Sequence, residues 1–347
     1  MILRNTSVRL LATATSLVAV AALAAGCSGS ANASGDGKTI RYQTSPGILN
    51  LAELADALGY IPGITLKNVG VVQGGPQALQ ALATGQVDLA GAFTGAAANV
   101  IANGTPIKGV IAYYGSSKNV FGALVTKDGT QITKPQDLIG KKVAVNTLGA
   151  QLEAVLDTWC AKAGMTEDQI KQVTLVPLPS INAEAALRNG QVDASYLSGS
   201  LLTNALKTPG LKVVMKDTQL LGSFNGGAYE MTDEYLKAHP DTAKEFVAGM
   251  AKAVHWIQTH PASQVLDTYT QYLDDHGESD DAQALTAWVG TGIATKGAYL
   301  RNQDYTTWTS WLQSKDLIKG DLDVSSLYTN EYNPYAPGGA GAGSEAH

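Results

Sequence analysis

A repeated eight-residue segment is the feature that most constrains how this 347-residue chain can fold. Residues 81–88 read ALATGQVD and residues 186–193 read ALRNGQVD, so the two copies lie 105 residues apart and end on the same four residues. Each copy is typical of a helix end, a glycine that can take the left-handed cap conformation, and the start of a strand. One such junction is common in α/β proteins, but two this similar predict two related α/β units.

The hydrophobic pattern of the rest of the chain also indicates an α/β fold. From residue 38, short runs typical of strands alternate with stretches of helical spacing, and the alternation restarts after Pro135. This order predicts parallel sheets covered by helices on both faces. After about Asp233 the pattern is helical almost throughout, up to Lys315. The predicted strands are 39–43, 64–72, 87–90, 107–113, 142–145, 173–176, 192–196 and 212–215.

The first 26 residues have the three parts of a secretory signal peptide. Arg4 and Arg9 supply positive charge, residues 10–25 are apolar, and small residues precede Cys27. The apolar run is nearly long enough for the alternative, an uncleaved membrane anchor. Residues 23–27, LAAGC, resemble the bacterial lipobox. That resemblance implies cleavage before Cys27 and a lipid on its sulfur.

Two further segments have the composition of unfolded chain. Residues 27–37 are rich in Ser, Gly and Ala, which predicts a flexible linker between the lipid and the folded body. Residues 336–347 contain four glycines and no apolar period, which predicts a disordered tail.

Charge and cysteine content exclude several classes of protein. The formal net charge is −6, and it becomes −8 once the two arginines of residues 1–26 are removed. An acidic chain lacks the clustered cations that nucleic-acid binding needs, so no nucleic-acid partner is expected. With Cys27 acylated, Cys160 is the sole remaining thiol, which excludes an internal disulfide and a cysteine-based metal cluster.

Four loops that follow predicted strands combine glycine with a small hydrogen-bonding residue. In open parallel sheets, ligands bind outside the carboxyl ends of the strands, where helix N-termini offer unpaired N–H groups and partial positive charge. Any one loop can be ordinary turn chemistry, but four of them in two similar units favour a shared ligand site. The candidate residues are Ser45, Gly47, Gly74, Gly75, Thr94, Gly95, Asn146 and Thr147.

Three further candidates each have two open interpretations. Tyr113 and Tyr196 lie near the same level, and each either lines the ligand site or packs under its sheet. Gly226 lies in the run FNGG at 224–227, which belongs to a hinge, to the ligand site or to both. No Lys or Arg is well placed as a counter-ion. An anion would therefore be recognised by backbone amides and hydroxyls, and a neutral or zwitterionic ligand fits nearly as well.

No pattern typical of an enzyme stands out. The five histidines all lie in the C-terminal helical region or the tail, away from the strand-end loops. His255 and His260 are five residues apart, which is not the i, i+4 spacing of a helical metal pair, and there is no Gly-x-Ser-x-Gly elbow or dinucleotide fingerprint. We predict no catalytic residue, no metal and no cofactor. Four tryptophans at helical spacing are predicted core residues: Trp256, Trp288, Trp308 and Trp311.

Three stretches resemble the nitrate/sulfonate/taurine-type solute-binding proteins of bacterial ABC importers. They are residues 74–76 (GGP), the two GQVD junctions and residues 137–147 (DLIGKKVAVNT). The likeness covers about residues 38–333. It implies a periplasmic-binding-protein-like α/β fold, in which two lobes are joined by two crossings and hold the ligand cleft between them. The implied first lobe is 38–122 plus 228–335, and the implied second lobe is 123–227 with the crossings at its ends.

The same resemblance implies a function. A monomeric lipoprotein, anchored to the outer face of the cell membrane through Cys27, would capture a sulfonate-, taurine- or nitrate-like solute by lobe closure and deliver it to an ABC permease. Two alternatives are the same fold binding a pyrimidine, a flavin-like or an aromatic solute, and a sensor that signals to a membrane partner. Enzymes of thiamine-pyrimidine synthesis also resemble the family, but they use a cysteine-rich segment and a histidine that this sequence lacks.

Overall fold

The structure is a computed structural model that describes residues 37–45, 48–278 and 285–339. Its strands fall into two groups of five, and the first group belongs to what we call the first lobe. β1 and β2 pair in parallel, while β10 lies between β3 and β4 and runs antiparallel to both. The helices and the chain that pack on these strands complete the first lobe. The strands are β1 (Thr39–Thr44), β2 (Thr65–Val71), β3 (Ala90–Phe93), β4 (Ile107–Ser116) and β10 (Phe224–Thr232).

The other five strands form one sheet, on which the second lobe is built. Its order is β7-β6-β8-β5-β9, with β6 parallel to β7 and β8, and β5 antiparallel to β8 and β9. The strands are β5 (Gly122–Lys127), β6 (Lys142–Val145), β7 (Thr174–Pro177), β8 (Ala194–Ser198) and β9 (Leu211–Lys216).

The two lobes arrange their strands in the same order. In the first lobe, the Asp88 and Leu89 N–H groups donate to the Arg41 carbonyl at 2.9 and 3.2 Å, which joins β1 to the segment entering β3. The resulting order, β2-β1-β3-β10-β4, matches β7-β6-β8-β5-β9 strand for strand. In both lobes the antiparallel strand arrives from the other lobe, β10 after β9 and β5 after β4. The predicted fold class, two α/β lobes joined by two crossings, is confirmed.

The repeated GQVD segment has the same local geometry in both lobes. Gly85 and Gly190 have φ values of +71° and +73°, the left-handed conformation that glycine adopts without strain. The final aspartate then binds the first strand of its lobe. Asp88 accepts from the Arg41 N–H at 2.9 Å, and Asp193 accepts from the Lys142 N–H at 2.8 Å. The repeat is therefore a helix cap joined to a carboxylate that fixes a strand.

A single carboxylate connects the two crossings between the lobes. Asp217, which follows β9, is fully buried. Its Oδ2 accepts from Ser116 Oγ at 2.6 Å and from the Gly122 N–H at 2.9 Å, on either side of the first crossing. Burial raises the pKa of this carboxyl, and the hydrogen bonds from Ser116, Gly122 and Tyr196 act against that rise.

Helices cover both sheets, and the C-terminal helices return to the first lobe. The apolar face of α10 includes Phe246, Val247 and Met250, all fully buried, and α10 and α11 both pack against α1. Single turns of 3₁₀ helix occur at Pro135–Leu138 and Lys296–Ala298. The α-helices are α1 (Leu51–Ala57), α2 (Gly75–Ala83), α3 (Thr94–Ala102), α4 (Gln151–Lys162), α5 (Glu167–Ile170), α6 (Ser180–Arg188), α7 (Gly199–Lys207), α8 (Asp217–Leu221), α9 (Asp233–Ala238), α10 (Pro240–Thr259), α11 (Ala262–Asp275), α12 (Asn302–Thr306), α13 (Thr309–Ser314) and α14 (Val324–Leu327).

Several predicted elements differ from the structure. No strand was predicted at the positions of β5 and β10, and the strand predicted at 192–196 lies at Ala194–Ser198. The strand predicted at 87–90 is displaced to Ala90–Phe93, because Asp88 is held against Arg41 before the strand begins. The helical pattern predicted up to Lys315 is interrupted at 285–301, where Lys296–Ala298 is the regular element described. Gly290, Gly292 and Gly297 have φ values of +141°, +70° and +55°, which a continuous helix does not accommodate.

Several predictions concern residues outside the described part of the chain. These are the signal peptide, the lipid on Cys27, residues 27–36 of the linker and residues 340–347 of the tail. The limits 38–122 with 228–335 and 123–227 for the two lobes stay predictions. Within the described residues, no helix combines the length and the apolar character that crossing a membrane requires.

Candidate ligand-binding cleft

A cavity of about 490 Å³ lies between the lobes, at the carboxyl ends of the parallel strands. Six strands end next to this cavity, and each has a residue at or just after its end that lines the cavity wall. These residues are Ser45 after β1, Val72 after β2, Phe93 in β3, Asn146 after β6, Pro179 after β7 and Ser198 in β8. The position agrees with the general location of ligand sites in open α/β sheets.

Four helices begin at the cavity wall. The residues that cap α2, α4, α6 and α7 all line the cavity, and none of these caps has a side chain bonded to the helix N–H groups. Their first-turn N–H groups therefore face the cavity without a side-chain acceptor, and each helix adds a partial positive charge at this end. The capping residues are Gly74, Ala150, Pro179 and Ser198.

The side chains that line the cavity are uncharged. Among the described residues, the lining contains no Lys, Arg, His, Asp or Glu. Burial is the main cause that raises the pKa of Tyr113, to about 12, and it also raises the pKa of Tyr114 well above its usual range. Both phenols therefore stay neutral near pH 7. The aromatic part of the wall consists of Phe93, Tyr113, Tyr114, Phe121 and Trp288.

Two amide side chains in the wall have a carbonyl oxygen that is buried and unpaired. Asn146 Oδ1 and Gln151 Oε1 have no hydrogen-bond partner among the described residues. Gln151 as a whole is only 7% exposed. An unpaired buried polar atom costs about 1–3 kcal/mol, so these oxygens are the places where a ligand donor would gain most.

Five of the predicted site residues line the cavity, and the prediction for Gly47 concerns a residue outside the described part. A Cβ added to Gly75 would lie 3.1 Å from the Ala92 backbone, so the absence of a side chain lets α2 begin close against β3. The five residues are Ser45, Gly74, Gly75, Tyr113 and Asn146.

Thr94 and Gly95 are not part of the cavity wall. Thr94 is fully buried, where its Oγ1 donates to the Asp304 carbonyl at 2.6 Å and accepts from Trp308 Nε1 at 3.1 Å. A Cβ on Gly95 would lie 2.5 Å from the Phe93 ring. Gly95 thus leaves room for an aromatic ring that does line the cavity.

Tyr196, Gly226 and Thr147 also lie outside the wall, each with a structural role nearby. Tyr196 is 2% exposed and its hydroxyl donates to Asp217 Oδ2 at 3.0 Å, so it packs under the sheet. A Cβ on Gly226 would lie 2.2 Å from Gln151 Oε1, so Gly226 makes room for that amide. A Cβ on Gly74 would lie 2.9 Å from Thr147 Cγ2, which places Thr147 directly across the cleft from Gly74.

Sequence reasoning did not select several lining residues. Gln151 is the first residue of α4, and the only sequence signal for it is its position after the glycine-containing loop 146–149. Trp288 is 8% exposed and belongs to the hydrophobic core, as predicted, and it also lines the cavity from the irregular segment 285–301. Phe121 lies in the first crossing, where no periodic pattern identifies a facing direction.

An ionic contact joins the lobes beside the cavity. We call it the Lys315 cluster: Lys315, Glu153, Asp157 and Trp311. Lys315 Nζ lies 3.0 Å from Glu153 Oε1 and 2.8 Å from Asp157 Oδ2. Trp311 Nε1 donates to the same Asp157 oxygen at 3.0 Å. Trp311 lies in α13 and Lys315 directly follows that helix, whereas the two acids come from α4 of the second lobe.

Burial and pairing act in opposite directions on the charges of the Lys315 cluster. Burial raises the pKa of Asp157, and the hydrogen bond from Lys315 acts against that rise. Burial also acts to lower the pKa of Lys315, but the hydrogen bonds and charges of Asp157 and Glu153 outweigh it, so that this pKa is raised. Lys315 therefore stays charged near pH 7.

No group of three or more His, Cys, Asp or Glu side chains within the described ranges is placed to hold a metal ion. Cys160 is fully buried in α4, and burial raises the pKa of its thiol to about 12. At neutral pH this thiol is protonated and out of reach of the cavity.

Comparison of the sequence with known proteins finds a matching family and a similar binding protein. Residues 53–264 match the family described as NMT1/THI5 like. The taurine-binding periplasmic protein of Escherichia coli (strain K12) is 28% identical over 214 residues, which cover 60% of this chain and 62% of that protein. The match therefore spans less than two thirds of that relative's length.

Two solved structures show the same fold. The alkanesulfonate-binding protein SsuA from Xanthomonas axonopodis pv. citri, bound to MOPS, has a TM-score of 0.63 at 18% identity over 84% of this chain and 98% of its own. The periplasmic nitrate-binding protein NrtA from Synechocystis PCC 6803 has a TM-score of 0.65 at 12% identity, over 85% of this chain and 86% of its own.

Proposed function

This chain belongs to the NMT1/THI5-like family, and from that premise we propose that it is a solute-binding protein that captures a small molecule between its lobes and delivers it to an ABC permease. One observation carries the proposal: six strand ends and four helix N-termini from both lobes converge on one cavity. Such a site binds a ligand fully only when both lobes contact it.

Capture by closure follows from this division of contacts. A ligand that contacts both lobes binds the closed arrangement more tightly than the open one, and it shifts the population by that difference in affinity. We propose that Ser45, Gly74, Gly75 and Tyr113 contact the solute from the first lobe, and Asn146 from the second. The limits 38–122 with 228–335 and 123–227 are proposed for the two rigid bodies.

Names of relatives supply the first solute class to test. The relatives are described as binding taurine, alkanesulfonate and nitrate. We propose that this chain likewise binds a small solute for an ABC importer, and that the helix N-termini donate hydrogen bonds to that solute. Export, lipidation at Cys27 and attachment to the outer face of the membrane are part of the same proposal, and they rest on residues 1–27 of the sequence.

Binding without catalysis is the proposed activity. Within the described part of the chain, no histidine and no acid lines the cavity, and the Cys160 thiol is buried away from it. These residues supply hydrogen bonds and apolar contact, which suit reversible capture.

Small-angle scattering with a thermal-shift panel tests the proposal. We expect a solute that binds to raise the free energy of unfolding by about 2.7 kcal/mol at one hundred times its Kd. The same solute should reduce the radius of gyration, because closure compacts the chain. A solute that stabilises the protein while leaving its dimensions unchanged would contradict capture by lobe closure.

A further inference from the structure

From the chemistry of the cavity wall we propose that the solute is uncharged, contains an aromatic or fused ring, and presents both an N–H donor and a C=O acceptor, as a lactam or aryl amide does. This inference rests on the proposed function, since it names the solute of the same cavity. It departs from the charged solutes named for the relatives, and it depends on charge, size and hydrogen-bond pairing.

Charge is the first argument. An ionised solute leaves bulk water on closure, and an isolated buried charge costs far more than an unpaired neutral group. The described wall supplies neither a cation for a sulfonate nor a carboxylate for an ammonium group. A helix N-terminus contributes about 0.3–1 kcal/mol to an anion at an exposed site and up to about 2 kcal/mol at a partly buried one, which is less than the cost of burying the charge. Those same N–H groups satisfy a neutral carbonyl oxygen without any charge to desolvate.

Size and surface are the second argument. At about 30 Å³ for each water-sized group, a cavity of about 490 Å³ holds on the order of 16 nonhydrogen atoms. Nitrate has four such atoms and taurine has seven, so either would leave most of the cavity to water. Tyr113 and Tyr114 meet edge to face with ring centroids 4.9 Å apart, and Phe93 meets Trp308 in the same way at 4.8 Å. These anchored rings provide flat apolar walls that match a ring system.

Hydrogen-bond pairing is the third argument. Asn146 Oδ1 and Gln151 Oε1 are buried acceptors without a partner in the described residues. A sulfonate or nitrate carries only acceptor oxygens, so it pairs with these two amides only when their side chains turn to present the NH2 group instead of the oxygen. An amide edge donates its N–H to such an oxygen and offers its C=O to a helix N-terminus, such as that of α4. One planar group therefore satisfies both kinds of atom in the wall.

Matched pairs of ring compounds test the charge of the solute. We would titrate the full-length protein with benzamide against benzenesulfonate, and with 2-quinolinone against naphthalene-2-sulfonate, adding the zwitterion taurine and the anion nitrate as small charged solutes. We expect each neutral member to bind at least tenfold more tightly than its anionic partner, with an affinity that is insensitive to salt.

A pair of charge-adding variants gives an independent readout. Asn146→Asp puts a carboxylate in the wall, so an anion should lose at least one hundredfold in affinity, whereas 2-quinolinone should change by less than tenfold. Asn189→Asp makes the same change at an exposed site away from the cavity, and it should alter neither. Thermal unfolding of both variants checks that they fold.

Each outcome separates the solute class from the wider function. Tighter binding of the neutral members supports the inference. Tighter binding of a sulfonate, of taurine or of nitrate overturns it, and compaction on binding that charged solute would leave the solute-binding function standing. Absence of binding and of compaction with every probe at millimolar concentration would count against both.

Discussion

Two regions hold the lobes against each other, and their chemistry is opposite. The cavity wall is uncharged among the described residues, whereas the Lys315 cluster on a neighbouring face of α4 brings together one cation and two carboxylates. Gln151 faces the cavity, and Glu153 and Asp157, four residues apart on the helix, face α13. The ionic contact thus joins the lobes by charge, whereas the described part of the cavity wall adds no ionic contact between them.

Replacing the cation of the Lys315 cluster should have the largest effect on this comparison. Lys315→Met leaves two carboxylates, 11% and 9% exposed, without their counter-charge. Breaking a buried pair costs about 3–5 kcal/mol, but the Lys315 side chain is 34% exposed and solvent screens the pair. We therefore expect the free energy of unfolding to fall by about 2 kcal/mol, measured by urea denaturation.

Lys319→Met is the matched control for that change. Lys319 is exposed and has no ion pair among the described residues, so its replacement should cost less than about 0.5 kcal/mol. Equal losses from the two variants would show that the Lys315 cluster does not stabilise the contact between the lobes.

A smaller effect is expected from filling the space that the cavity amide occupies. Gly226→Ala would place a methyl group 2.2 Å from Gln151 Oε1 and 2.8 Å from the Tyr114 ring, so at least one side chain must move. Overpacking of this kind costs about 1–3 kcal/mol, and we expect about 1.5 kcal/mol by urea denaturation because the end of a Gln side chain is flexible.

A double-mutant cycle identifies which neighbour Gly226 makes room for. In a Gln151→Ala background, Gly226→Ala should cost less than half as much, because the closer of the two contacts is gone. Full additivity of the two changes would assign the cost to Tyr114 or to the strand instead.

Glu230→Gln should give the smallest change and extends the comparison to an acid with no partner. Glu230 lies in β10, between β3 and β4, fully buried, and both its oxygens are unpaired in the described structure. Burial raises its pKa well above the ordinary value of 4.5, so the folded protein keeps the proton that the unfolded chain loses. The wild type should therefore lose stability as the pH rises above about 4.5, by up to about 1.4 kcal/mol per pH unit from this group.

Removing that titration should flatten the pH profile. We expect the free energy of unfolding of Glu230→Gln to exceed that of the wild type by about 1 kcal/mol at pH 7. At pH 4 the two proteins should be equally stable. A buried amide without a partner keeps part of the desolvation cost, which limits the gain. Parallel pH profiles for the two proteins would mean that Glu230 is ionised in the folded state.

The fold was predictable because its strongest signals are local. The GQVD repeat specifies a cap, a left-handed glycine and a strand within a few residues, and both copies form that geometry. Ser45 and Asn146 could be placed for the same reason, since a residue that follows a parallel strand emerges at the sheet edge whatever lies opposite.

Side chains whose surroundings come from distant parts of the chain could not be placed. Thr94 has the same strand-end position as Asn146, but its hydroxyl is bound by Asp304, 210 residues away, and by Trp308. Trp288 is a core residue, as its apolar character predicts, but its additional place in the cavity wall depends on the irregular segment 285–301, which the helical pattern does not predict. No sequence period records either arrangement.

The carboxylate of Asp217 also has a mechanical consequence. It sits at the start of the second crossing and holds both sides of the first, so neither crossing can stretch while its bonds to Ser116 and Gly122 last. We expect one lobe to rotate relative to the other about a hinge axis close to this carboxylate. Residues beside Asp217 would then move little, while Gly74 and Thr147, which meet from opposite lobes, would separate.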